Sequence, residues 1–168
     1  MTTSIVARAL DQLGALLADV TPEDVGRPTP CAEWTVADLS DHVVNSTAGM
    51  AVMAQGGEPD WSANPHHDDP AAALQEHGPA LVDGLSAADA AFPAGMAAGE
   101  LAIHSYDLAT ALGRSTADLD PEIAQVGYDF MSTSLTDDNR GNAFRPEQPA
   151  PDGADAYQRL AAFAGRSI

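Results

Sequence analysis

This sequence predicts an all-α fold, an up-and-down four-helix bundle with short extra helices, and three observations support that prediction. Apolar residues make up 45% of the chain and aromatics only 5%. The apolar content is mostly Ala, Leu and Val, and alanine is the best helix former. Apolar positions recur at three- and four-residue intervals in several long segments. No run reads as a strand, and there is no internal repeat. The 168 residues suit one domain, so residues 1–168 are expected to form a single bundle with 145–168 as an extension packing on it.

The first helix is predicted over 4–19, where Ile5, Ala9, Leu13, Leu16 and Leu17 share a face with Val20 just beyond, and Thr21-Pro22 ends it. Two prolines give the 27–34 connection an extended path. Thr35 is a good N-cap for a second helix, and Asp38 three residues on makes a capping box with Asp in place of Glu. Val36, Leu39, Val43 and Met50 lie broadly on one side, and Gly56-Gly57-Glu58-Pro59 stops the helix. Residues 57–69 (GEPDWSANPHHDD) form a polar irregular loop. Asp69 as N-cap and Pro70 at the first helical position start a third helix through Leu74, Leu81 and Leu85, with Gly78-Pro79 as a point of kinking. The fourth helix, 97–112, follows Met96 and carries Leu101, Ile103, Leu108 and Leu112, with Gly113 at C′. Asp120-Pro121 repeats the start signal for a fifth helix over 121–134. Residues 136–155 are rich in turn formers, and a short helix over 154–165 follows.

Seven arginines, no lysine and 25 acidic residues give a formal charge of −18. A field of that sign repels phosphate backbones and anionic bilayers, which argues against nucleic-acid and membrane partners. The single cysteine, Cys31, can form no internal disulfide and no zinc-type Cys pair, and suits a reducing compartment. The first twenty residues lack the cationic start and apolar core of a signal peptide, and no stretch nears the ~20 apolar residues of a membrane span. The expected location is the cytoplasm.

Chemistry concentrates in two of the predicted helices. Glu100 and His104 are four residues apart on the fourth helix and so face one way. His42, inside the second helix, supplies a third donor if the two helices are neighbours. Two nitrogens and one oxygen with a fourth position open is an arrangement used by catalytic zinc sites, and helical bundles build metal sites from Glu and His on facing helices. The same donors suit Ni2+ or Fe2+. Each residue alone also has a structural reading, His as a packed residue and Glu-His as a surface pair.

The segments TPCAEWTVADLSDHVV (29–44) and GELAIHSYDLATALGR (99–114) resemble the mycothiol-dependent maleylpyruvate isomerase family, and the tail over 144–165 looks like the family's C-terminal pattern. The resemblance is motif-specific in the first two segments and loose over 55–95. It implies a DinB-like bundle, found mainly in actinobacteria, in which a His on the second helix and a Glu-x-x-x-His pair on a later one hold a metal, usually zinc. Those positions match His42, Glu100 and His104. It further implies mycothiol, a low-molecular-weight thiol, as cosubstrate, with the metal activating its sulfur for attack on an electrophile. The isomerase has a further C-terminal domain that none of these motifs matches, so its substrate does not carry over. The functional expectation is a thiol-dependent transferase or isomerase. The alternative is a non-catalytic metal- or ligand-binding helical bundle, and coordination separates them: four protein ligands indicate structure, an open position indicates chemistry. A homodimer through apolar helix faces is compatible with either.

Other residues invite roles. Cys31 reads as a small packing residue, although a thiol at a helix N-terminus is also a nucleophile or ligand in principle. Trp34 reads as a core anchor at the helix entry. His66 and His67 read as part of a solvated loop, and His77 as structural or exposed. Asp38, four residues before His42, and Asp107, three after His104, each suit the carboxylate that accepts a ligating histidine's other N–H, with helix capping the competing role for Asp38. Arg114 and Arg145 fit an anionic substrate by chemistry alone, and surface charge is the favoured reading of both.

Overall fold

The computed structural model describes residues 2–31, 34–87, 90–140 and 144–168. Parts of the proline-rich connection (32–33) and of the turn-rich segment (141–143) lie outside them. Six α-helices form: α1 (Thr2–Ala18), α2 (Val36–Ala54), α3 (Pro70–Ser86), α4 (Ala94–Ala111), α5 (Pro121–Ser134) and α6 (Ala156–Phe163), with a 3₁₀ turn at Thr116–Asp118. Among the described residues there is no strand, only an isolated antiparallel bridge between Pro28 and Thr35 at the entry to α2. The fold is the all-α, DinB-like bundle expected. No helix is long and apolar enough to cross a membrane.

The predicted start signals work as chemistry requires. Thr35 caps α2 through a reciprocal box with Asp38, whose carboxylate accepts from the Thr35 backbone N–H at 2.9 Å and its hydroxyl at 2.6 Å. Asp69 and Asp120 cap α3 and α5 ahead of Pro70 and Pro121. Pro79 lies inside α3, and the helix runs on through it to Ser86. α4 begins at Ala94, a turn earlier than the spacing of apolar residues suggests, because Ala94 and Gly95 carry no periodic signal. α6 is shorter than expected, set by a second capping box between Asp155 and Gln158.

α1 packs on α3 and α4, and α2 packs on the same two helices. α1 and α2 therefore face each other across the diagonal, which the long 19–35 connection permits. α5 covers the outer side of α4, and α6 packs on α4 and α5. This makes α4 central. From Ala97 to Ala109 every residue is buried except Glu100, as befits a helix packed against α1, α2, α5 and α6. Met96, at the edge of that run, is 49% exposed. The core gathers Leu13, Leu39, Leu74, Leu81, Leu101, Leu108, Ile123 and Leu160 around it.

Two glycines set the close approaches around α4. Gly127 on α5 meets Gly99 on α4 backbone to backbone; a Cβ at Gly127 would stand 2.8 Å from the Gly99 Cα. That contact fixes α5 beside Glu100. Gly165 has φ of +86° and ends α6 in a Schellman turn, Gly165 N–H to the Ala162 carbonyl and Arg166 N–H to the Ala161 carbonyl. A Cβ there would also lie 2.5 Å from the Arg145 carbonyl oxygen. The turn sends Arg166 back into the bundle. Gly127→Ala is expected to lower unfolding free energy by about 1–3 kcal/mol, the usual cost of overpacking, measurable as an earlier urea midpoint. An unchanged midpoint would show that the helix pair relaxes without strain.

Candidate metal centre

α2 and α4 touch over the sparsest of the bundle's four sides, and the three predicted donors meet in that seam. The His42 Nε2–H donates to Glu100 Oε1 at 3.0 Å, and His104 Nε2 lies 3.3 Å from the same oxygen. The two imidazoles sit edge to face with centroids 4.8 Å apart. All three donor atoms lie within 4.8 Å of one another, and no other group of three His, Cys, Asp or Glu donors converges in this way among the described residues. Donors on one tetrahedral ion with bonds of about 2.0–2.2 Å stand roughly 3.3 Å apart. The two separations to Glu100, 3.0 and 3.3 Å, fit that spacing, and the donor nitrogens of His42 and His104 lie within 4.8 Å of each other.

The surroundings orient the two rings. His104 Nδ1–H donates to Asp107 Oδ2 at 3.1 Å, which leaves Nε2 to face Glu100. Asp107 is fully buried and accepts in turn from Arg166, Nη2–H at 3.0 Å and Nε–H at 3.2 Å. Trp34 lies against both histidines, 4.4 Å from the His42 centroid and 6.1 Å from that of His104. It also packs on the core, so it is both the anchor expected and a wall of the site.

Between the two aspartates, Asp107 is the one that holds a histidine. Asp38 is consumed by the Thr35 cap. Arg166 is not among the candidates from sequence. A hint is present there, since an arginine after a C′ glycine turns back towards its own bundle, but its partner is 59 residues away. Cys31 is half-buried beside the site without joining the cluster; burial pushes its thiol pKa up, with Arg166 opposing. Arg114 pairs with Asp19 on the surface at 2.8 Å, and the Arg145 side chain is exposed. His66 and His67 do not converge on an ion. His66 Nδ1 lies 2.9 Å from Asp41 Oδ2, the His67 backbone N–H donates to Asp41 Oδ1, and the His67 ring lies 2.8 Å from Asn45 Oδ1. The polar loop is thereby tied to α2. His77 is half-buried on α3.

Among the described residues, one cavity reaches His42 and another reaches Glu100, and these two share no lining residue. One, of about 280 Å³, lies between α2 and the tied loop and is lined by His42, Asn45, Gly49, Trp61 and Asn64. Gly49 makes room for the Trp61 indole there. The other, of about 260 Å³, opens between α4 and α5 and is lined by Glu100 with apolar side chains.

The electrostatics follow from burial against pairing. Burial disfavours a charged His104, but the Glu100 carboxylate and Asp107 outweigh it and raise its pKa to about 9. Burial disfavours the Glu100 carboxylate too, and His104 and His42 outweigh it, holding Glu100 well below the ordinary carboxylate range. Asp107 is held low, against its burial, by His104 and Arg166. In the metal-free protein a His104 pKa raised from 6.5 to about 9 contributes stability that is fully present below pH 6.5 and is lost as pH rises through about 9. Urea unfolding with a chelator present is expected to show the midpoint falling over that window, and falling less in His104→Gln. A wild-type profile that rises across the same window would contradict the ion pair.

The comparisons with known proteins bear on the same elements. A family profile described as the mycothiol maleylpyruvate isomerase N-terminal domain matches residues 6–91, a span that includes α2 and His42 and stops short of Glu100. Two uncharacterized proteins of Mycobacterium tuberculosis, from strains CDC 1551 / Oshkosh and ATCC 25618 / H37Rv, are each 34% identical over 177 residues, covering 96% of this chain and 95% of the relative. No solved structure matches the chain significantly. With half of the chain matched by the profile, the protein belongs to the mycothiol maleylpyruvate isomerase N-terminal domain family.

Proposed function

We propose that this chain is a single-domain metal-binding bundle that holds one divalent ion, zinc by donor type with Ni2+ or Fe2+ as chemical equivalents, through His42, Glu100 and His104. On this reading it is a thiol-dependent transferase or isomerase. The observation that carries the reading is the convergence of two Nε2 atoms and one carboxylate oxygen from facing helices, with no fourth donor from the described residues joining them. An ion held there supplies acidity, lowering the pKa of a thiol in its open position so that the thiolate is the nucleophile.

The chain's own residues then have defined work. Asp107, charge-balanced by Arg166, keeps the His104 proton on Nδ1 and turns Nε2 to the site. Trp34 walls the two rings and limits their rotation. The cavity at His42 and the cavity at Glu100 give two small molecules separate approaches to one centre. The family description supports mycothiol as the thiol. An electrophilic small molecule is the second partner. The charge of −18 supports a protein without nucleic-acid or membrane partners, and the lone cysteine suits the cytoplasm.

Elemental analysis of the purified protein is expected to give about one zinc per chain, lost in His42→Ala and in His104→Ala. Stoichiometric zinc in both variants would remove this site from consideration. Asp107→Asn is expected to keep the helical circular dichroism and weaken zinc binding by about 10–100-fold, the usual effect of losing the carboxylate behind a ligating histidine. In cobalt-substituted protein a small thiol should add a sulfur-to-cobalt charge-transfer band. Bound metal with no such band would favour the non-catalytic bundle.

A further inference from the structure

Gly49 departs from a local rule in the middle of α2. Glycine inside a helix is less favourable than alanine, yet α2 runs through it from Val36 to Ala54. What the glycine provides is a close approach. A Cβ there would lie 2.5 Å from both Cη2 and Cζ3 of Trp61, and the three atoms nearest to it all belong to that indole. Trp61 is nevertheless 60% exposed, so the contact removes little apolar surface from water and contributes little to the fold. A helix weakened at its centre and an indole left largely in water both run against stability, and departures of this kind mark functional positions.

The segment that carries the indole is self-contained. The hydrogen bonds of residues 58–63 are internal: the Ser62 backbone N–H and hydroxyl donate to Asp60 Oδ1, and the Ala63 N–H donates to the Asp60 carbonyl. None of its side chains belongs to the hydrophobic core. Its ends are held. Gly56, with φ of +80°, turns the chain out of α2, and beyond residue 63 the Asn45 amide donates to Asn64 and Pro65. Between these ends the close contact with α2 is the indole on Gly49. A segment with few buried contacts and only internal hydrogen bonds opens at low cost.

What it covers is the approach to His42. The cavity of about 280 Å³ has α2 as one wall, from His42 to Val52, and this segment as the other, through Pro59, Asp60, Trp61 and Ala63. Closed, the segment encloses a small molecule beside His42 and keeps water from it; swung out, it leaves that side of the site open.

We propose, resting on the metal reading above, that residues 58–63 are a flap, with Trp61 as its lid and Gly49 as the seat of the lid, and that the flap closes over the thiol in the ion's open position. Trp61 then sets how long the thiol stays, and metal binding does not depend on it.

Gly49→Ala is the test, because the added methyl displaces the indole while alanine favours the helix. In the metal-free protein, Trp61 emission, isolated by difference from Trp61→Phe, should move to the red in Gly49→Ala and become about twofold more quenchable by acrylamide. Zinc content on reloading should be unchanged. In cobalt-substituted protein, 2-mercaptoethanol is small and neutral enough for the cavity. On dilution, its sulfur-to-cobalt band should decay about tenfold faster in Gly49→Ala and in Trp61→Ala than in wild type. The double variant should release the thiol no faster than either single one, since both remove the same lid. An indole unmoved in Gly49→Ala would overturn the proposal, as would unchanged thiol release from both variants or loss of metal from Gly49→Ala. A wild-type protein without metal, or with metal and no thiol band, would overturn the flap's role together with the reading it rests on. Trp61 emission, read without metal, tells these two failures apart.

Discussion

A carboxylate with no exposed surface must have its charge met from within, and Asp107 has two partners, His104 on its own helix and Arg166 from beyond α6. The arrangement links the chain's last turn to the centre of α4. Removing one member of such a network leaves a buried charge uncompensated, a change that costs several kcal/mol in typical proteins. The direction of the His104 ring, and with it the meeting of three donors, rests on this contact. Gly165 belongs to the same device, since only a left-handed residue with no Cβ lets Arg166 double back past the Arg145 carbonyl.

Few cations are available to a chain of this charge, and their placement is informative. Arg8, Arg27 and Arg114 pair with acids on the surface, where ion pairs contribute little. Arg140 and Arg166 are buried, and both fasten the carboxyl end of α6, one through the Phe163 carbonyl and the other through the Ala164 carbonyl and Asp107. Cations at a helix C-terminus are favourable there in any case. Arg166 thus locks the C-terminal segment onto α4, Arg140 ties the end of α6 to the segment around Arg145, and neither lines the cavity beside Glu100. That leaves the space beside Glu100 apolar.

The loop over 57–69 shows how composition and placement diverge. Its residues are polar and lack core formers, and most of them are exposed. Yet Asp41 and Asn45, four apart on α2, gather the backbone and rings of His66 and His67 and the carbonyl of Pro65. The loop therefore forms a wall beside His42, with Trp61 laid on Gly49. The family resemblance is loose in this region, and the tether joins residues 25 and 26 positions apart in the chain.

Local chemistry determined much of this protein. Capping residues, proline at first helical turns and three- to four-residue spacing placed the long helices and their starts, because each is an interaction within one or two turns. The Glu100–His104 pair is equally local, being one helical turn. Its joining by His42 rests, in the sequence, on resemblance and on the two helices being neighbours; bringing them together is a tertiary fact, as is the diagonal placing of α1 and α2. Tertiary structure alone chose Asp107 over Asp38 behind the histidines. It also brought in Arg166, set Trp34 against both rings, and shaped the apolar cavity beside Glu100. Each of these depends on a contact between residues far apart in the chain, and the strength of such a contact is set by burial, which spacing along the chain does not carry.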